Sequence, residues 1–494
     1  MDLKFVSTRG DKRQFYASEA VINGLADDGG LFVPTSVPKL DVSVSSLAGK
    51  GYKKTAYEVL KLFFTDLSEE ELKYCIDRAY DDKFDTEVIV PLTVHDDQHF
   101  LELFHGPTIA FKDMALSILP HLLTVSLKKN RIDDKVVIMT ATSGDTGKAA
   151  LAAFANVENI RIIVFYPKGG VSRIQELQMI TQKGDNTDVI GVTGNFDDCQ
   201  SGVKSMFNDP VLKEDLASKG YRFSSANSIN IGRLFPQVAY YVYAYVKMVE
   251  TKAIADGEPL DFVVPTGNFG NILAAYYAKR MGLPVGRLIC ASNENKVLYD
   301  FFNTGIYDRR RQFILTSSPS MDILISSNLE RLIYHCLGDD AVKNAQLMNA
   351  LATEGIYTVD EKCRQNMADF TGYFATEDQV SKTIKDYYER SGYVMDPHTA
   401  VAAYANSLSA PASEGRSVII STASPYKFVG NVLKAIDPSL VSDDDFEMAE
   451  TLSALSKVAI PRAISGIKGA AILHDRVVDV KDMERSVRET LRLA

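Results

Sequence analysis

At 494 residues the chain exceeds what one hydrophobic core ordinarily serves, so two or three packed units are expected. Its 46% hydrophobic and 24% charged content is that of a globular protein, and a net charge of −10 argues against general binding to nucleic acid or anionic membranes. No stretch reaches the roughly 18–20 apolar residues of a membrane span, and neither the five cysteines nor the seven histidines show metal-ligand spacing; a cytoplasmic, metal-free protein is expected.

Residues 1–95 mix helix and turn signals. Residues 55–64 and 68–80 read as amphipathic helices, the second opened by Ser68 with Glu71 three positions on, a capping-box pattern. From residue 135 strands and helices alternate. Residues 135–140 (KVVIMT), 161–166 (RIIVFY) and 188–192 (DVIGV) are strand-like, interleaved with helices at 148–156, 172–184 and 196–207. Strand signals return at 262–265, 287–291 and 418–421, with a helix at 272–280. Such alternation requires crossover connections and parallel sheets, so the fold class is α/β. The three-strand group at 134–221 reads as a small α/β domain. It would be inserted into a large domain made of 96–133 and 222–435, with residues 1–95 as an N-terminal unit and 436–494 as a C-terminal helical segment.

Four loops carry chemistry. Lys112 lies between apolar Ala110-Phe111 and Met114-Ala115-Leu116 at the start of a helix, and desolvation there would lower its pKa. Taken alone, such a lysine reads as a snorkelling surface residue. Residues 142–147 (TSGDTG) place Ser143, Gly144, Asp145 and Thr146 between a strand and an Ala-rich helix, where backbone N–H groups suit a carboxylate or phosphate. A nucleotide P-loop is rejected, because Thr142 stands where Gly is needed and Ala149 where Ser or Thr is needed. Residues 267–270 (GNFG) form a second anion cradle, and Thr422 ends the last clear strand with a hydroxyl suited to a ring nitrogen. A lysine, two anion cradles and a strand-end hydroxyl together match the needs of a phosphorylated pyridine aldehyde.

The segments 104–112 (FHGPTIAFK), 142–147 (TSGDTG), 267–270 (GNFG) and 396–400 (DPHTA) resemble the motif set of threonine synthases of the bacterial and fungal branch. That group lies within the fold-type II pyridoxal-phosphate enzymes. Residues 7–10, 24–31 and 227–233 fit the same pattern, so the resemblance runs from about residue 5 to about residue 430. It implies pyridoxal phosphate held by Lys112, its phosphate by Gly267, Asn268, Phe269 and Gly270, and its ring nitrogen by Thr422. It implies that Ser143, Gly144, Asp145 and Thr146 receive the amino-acid end of the substrate, and that Asn230 and Arg233 bind its phosphate. The implied reaction is O-phospho-L-homoserine plus water to L-threonine plus phosphate, by a monomer. Other readings are a serine or threonine dehydratase of the same fold, and a synthase-like protein that binds phosphorylated metabolites without turnover. The chain departs from the family at Ser424, where relatives often carry His, and at Tyr426, where they carry Ala.

Overall fold

The strand Lys135–Ala141 shows why this chain forms parallel sheets. Val136 and Ile138 enter one apolar core while Val137 and Met139 enter another, so the strand is buried on both faces and needs helices on each side. The computed structural model of the chain describes residues 2–142, 144–409 and 416–493. Its two main sheets follow the same rule.

The larger sheet has six strands in the order Phe370–Phe374, Val285–Ser292, Leu260–Pro265, Ser417–Ser421, Gln98–Glu102 and Leu92–His95. All neighbours are parallel except the last pair, a hairpin through Asp96 and Asp97, both left-handed. Leu260–Pro265, Ser417–Ser421 and Gln98–Glu102 are adjacent and point the same way. The loops that follow them therefore emerge side by side at one edge, and these are the GNFG loop, the Thr422 loop and the lysine loop.

The smaller sheet runs Val477–Asp479, Thr187–Thr193, Ile160–Pro167, Lys135–Ala141, Tyr221–Ser224, all parallel. The segment 436–494 is thus not purely helical as expected. Three of its residues extend this sheet, and Met483 and Val487 of the helix Met483–Leu491 pack against the sheet's outer core. A three-residue strand carries no periodicity, so nothing local marks it. The expected capping box is present, Ser68 receiving the Glu71 N–H while Glu71 returns to the Ser68 N–H. Helix Pro236–Glu250 (PQVAYYVYAYVKMVE) is apolar nearly all round and runs through the main core behind the site. Among the described residues no helix is long and apolar enough to cross a membrane.

Candidate active site

The lysine loop is folded tightly by Asp113. One oxygen of that buried carboxylate accepts the Thr108 N–H at 2.8 Å and the other the Thr108 hydroxyl at 2.5 Å. Gly106 has no room for a side chain, since a Cβ there would lie 2.5 Å from Asp113 Cβ. Phe111 N–H donates to Thr422 O at 2.8 Å and Ser424 N–H to Ile109 O at 3.0 Å, tying the loop to the end of the neighbouring strand. These bonds carry Lys112 inward, with 11% of its side chain exposed.

Around the Lys112 amine the site is crowded with charge. Nζ donates to Ser320 Oγ at 3.0 Å and stands 3.6 Å from Asp145 Oδ2. Burial lowers the Lys112 pKa; Asp145 opposes this, Lys427 and Arg233 reinforce it, and the amine is brought down to about 8. Asp145 is itself buried, and burial alone would raise its carboxyl. The cations Lys427 and Lys112, with a hydrogen bond from Gln175, outweigh that and hold it well below the usual carboxylate range. Lys427 is fully buried, 3.1 Å from Asp145 Oδ1, and donates to Thr108 O at 3.0 Å.

The TSGDTG loop leaves the smaller sheet and faces this cluster. Thr142 Oγ1 accepts both Gly144 N–H and Gly147 N–H at 2.9 Å, which caps helix Asp145–Phe154. Gly144 sits at φ +127°, and a Cβ there would lie 2.4 Å from Gln175 Cδ. With those two N–H groups used, the N–H groups of Asp145 and Thr146 are left without an acceptor among the described residues. Thr146 is half-buried; Ser143 lies outside the described residues.

The GNFG loop makes a second cradle. Phe269 is left-handed at φ +65°, and among the described residues no group accepts the N–H groups of Gly267, Asn268 or Phe269. Asn328 pins the loop by giving both its backbone and side-chain N–H to Asn268 O, at 3.1 and 3.0 Å. Gly270 opens helix Gly270–Arg280.

Arg233 is buried; its Nη1 donates to Ala226 O at 2.8 Å, and its Nε has no hydrogen-bond partner among the described residues. Burial brings this guanidinium down to about 10. Asn230, expected beside it on the substrate phosphate, is spent elsewhere. Its amide donates to Val21 O at 2.9 Å and Ser225 O at 3.1 Å, and its oxygen accepts Gly232 N–H at 2.8 Å. It caps the turn that carries Arg233 and has no donor left for a ligand.

Three site residues had no motif to mark them. Ser320, Lys427 and Gln175 enter from segments without Gly-rich or charged signatures, while His398 was visible only as part of DPHTA. Ser424 and Tyr426 face another way. They line a cavity of about 1220 Å³ whose wall includes Tyr52, Tyr80, His105 and Tyr393 and does not include Lys112 or Asp145. There Ser424 Oγ caps the turn Pro425–Phe428 by accepting Tyr426 N–H at 3.4 Å, and the Tyr426 hydroxyl donates to Val458 O at 2.5 Å.

A desolvated lysine among strand-end loops, with a Gly-rich cradle of free N–H groups, defines an α/β enzyme built around a lysine-anchored, phosphorylated cofactor. A family model described as "Pyridoxal-phosphate dependent enzyme" matches residues 100–423, and one described as "Threonine synthase N terminus" matches residues 4–80. Threonine synthase of Saccharomyces cerevisiae is 36% identical over 474 residues, covering 89% of this chain and 90% of that one. "Threonine synthase-like 1" of Homo sapiens is 42% identical over 400 residues, covering 78% of this chain and 53% of the relative; the chain thus spans about half the length of that relative. Among solved structures, threonine synthase from yeast superposes with a TM-score of 0.88 at 32% identity, and the PLP-bound threonine synthase from Brucella melitensis with 0.86 at 34%, each covering 99% of both chains. The chain belongs to the threonine synthase family of fold-type II pyridoxal-phosphate-dependent enzymes. The residues present fit that cofactor: free N–H groups of the GNFG loop suit its phosphate, and the Lys112 amine its aldehyde.

Proposed function

We propose that the chain converts O-phospho-L-homoserine and water to L-threonine and phosphate, as a carbon–oxygen lyase working as a monomer in the cytoplasm. The observation that carries this reading is Arg233, a buried cation close enough to Lys112 to depress it, with an Nε–H that no group among the described residues accepts. With the substrate carboxylate given to the N–H groups of the TSGDTG loop, an unphosphorylated amino acid offers no second anion for that unpaired charge.

Lys112 would hold pyridoxal phosphate at its aldehyde, Gly267, Asn268, Phe269 and Gly270 its phosphate, and Thr422 its ring nitrogen. When bound, the cofactor supplies an electron sink for negative charge at the carbon bearing the substrate's amino group. Lys112 Nζ, with its pKa lowered to about 8, takes the proton from Cα; a second proton leaves Cβ as phosphate departs from Cγ, Cγ is reprotonated, and water adds its hydroxyl at Cβ and returns a proton to Cα. The free N–H groups of Asp145 and Thr146, together with Ser143 and Gly144, receive the amino-acid end of the substrate at the helix N-terminus. Arg233 binds the substrate phosphate, and Asn230 holds the turn that aims it. Residues 134–221 act as the small domain that closes on the large one and excludes water.

The test is product analysis. Purified protein loaded with pyridoxal phosphate should release phosphate and threonine from O-phospho-L-homoserine, with little keto acid formed from threonine. Keto-acid release without phosphate release would assign a dehydratase instead. Binding of O-phospho-L-homoserine without turnover would leave only a metabolite-binding protein.

A further inference from the structure

Ser320 sits at the tip of a strap, residues 316–322, laid across the GNFG loop so closely that a Cβ on Gly267 would lie 2.5 Å from Ser320 O. The strap is fixed at its base by Asp322. That carboxylate accepts Asn293 Nδ2 at 2.8 Å, Asn295 Nδ2 at 2.9 Å, Thr316 N–H at 3.0 Å and the Thr316 hydroxyl at 2.7 Å. It is fixed at its tip by His398, whose Nε2 accepts the Ser320 N–H at 3.2 Å. An accepting Nε2 places the imidazole proton on Nδ1, which donates to buried Asp396 at 2.6 Å. Asp396 also accepts His398 N–H and Thr399 N–H, each at 3.0 Å, so the imidazole cannot turn away.

The Ser320 hydroxyl is thereby presented to two groups. It donates to Asp145 Oδ2 at 2.9 Å and accepts from Lys112 Nζ at 3.0 Å. Asp145 is held from its other oxygen by Gln175 Nε2 at 2.9 Å and Lys427 at 3.1 Å. Among the described residues Ser320 is the hydrogen-bond acceptor within reach of the Lys112 amine, since Asp145 at 3.6 Å is beyond that range.

We propose that Ser320 is a positioning residue for Lys112: its hydroxyl, aimed by His398 and by Asp145, receives the lysine amine whenever that amine is free and points it at the reacting carbons. This rests on Lys112 being the acid–base lysine. A free lysine amine on a four-carbon stem samples many rotamers, and each wrong one delays the next proton transfer. A direct bond to the Asp145 carboxylate would also fix it, but would raise its pKa and spoil it as a base. An interposed hydroxyl supplies direction with little charge. Asp145 still anchors the arrangement, through the proton that Ser320 gives it.

Ser320→Ala removes the acceptor and Ser320→Cys replaces it by a weak one of the same shape; Ser320→Thr keeps the hydroxyl. Both hydroxyl-less variants should take up pyridoxal phosphate with normal visible absorption and melt within about 2 °C of the parent. Their KM should stay within about twofold while kcat falls by about tenfold or more, and Ser320→Thr should restore kcat to within about threefold. A readout independent of turnover is the titration of Lys112 in cofactor-free protein, followed by acetic anhydride labelling and mass spectrometry. Losing the acceptor of its ammonium form should shift the Lys112 midpoint downwards. Parent-like kcat in both variants, or an unmoved Lys112 midpoint, would overturn the proposal. Borohydride reduction of the parent holoenzyme separates the two ideas. Cofactor fixed on a lysine other than Lys112 sinks the functional reading, whereas cofactor on Lys112 with Ser320 indifferent sinks only this one.

Discussion

Replacing Arg233 with methionine removes a cation from the site while keeping a side chain of similar length. In the folded chain Arg233 is 4% exposed, donates to Ala226 O at 2.8 Å, and has no partner for its Nε among the described residues. Its burial costs desolvation that no anion among the described residues offsets, so methionine should leave the melting temperature unchanged or raise it. Its contribution should appear only when a phosphate is present. A charge-assisted hydrogen bond of this kind contributes about 1.5–3 kcal/mol, which is about 10- to 150-fold in kcat/KM. The assay is phosphate release over a range of O-phospho-L-homoserine concentrations, with the loss falling mainly on KM. It should be run at several pH values, because Arg233 is among the groups that depress Lys112 and its removal lets that amine titrate higher. Cofactor affinity should not change. A kcat/KM within about twofold of the parent at every pH would refute the assignment of Arg233 to the substrate phosphate.

Lys112→Ala should eliminate the visible absorption of the bound cofactor together with turnover; an active variant would remove Lys112 from the centre of the site. Capture of pyridoxal phosphate by cofactor-free protein needs the neutral amine, so its rate should climb with pH and level off above about 8, as followed by absorbance. A rate flat from about pH 6 to 9 would show that Lys112 is not depressed. If residues 134–221 close over the substrate, limited proteolysis near residues 130 and 225 should slow when a substrate analogue is added; identical cleavage patterns would argue for a rigid body.

The departures at Ser424 and Tyr426 acquire a physical meaning in the folded chain. Both line the cavity beside His105, and both are used in holding the turn that delivers Lys427 to Asp145. Burial tends to lower the His105 imidazole, but Asp85 and Glu102 on either side outweigh it and raise it to about 9, which favours a charged imidazole in this wall at neutral pH.

What the sequence by itself determined was local. The β-branched runs, the turn glycines after them and the Ala-rich helices dictate parallel strands with anion-binding loops at their carboxyl ends. Lys112, Asp145 and Gly267–Gly270 stand in just such places, because backbone conformation and periodicity depend on near neighbours. The tertiary structure alone decided which loops meet. Leu260–Pro265, Ser417–Ser421 and Gln98–Glu102 lie side by side only after a sheet of distant strands has closed; the loop leaving the smaller sheet then meets that edge and sets Asp145 against Lys427, while the strap 208 positions along the chain sets Ser320 against Lys112. It also reassigned Asn230, whose amide is consumed by carbonyls of Val21 and Ser225. A side chain's hydrogen-bonding capacity is written in the sequence; whether any of it remains for a ligand depends on partners that only the fold supplies.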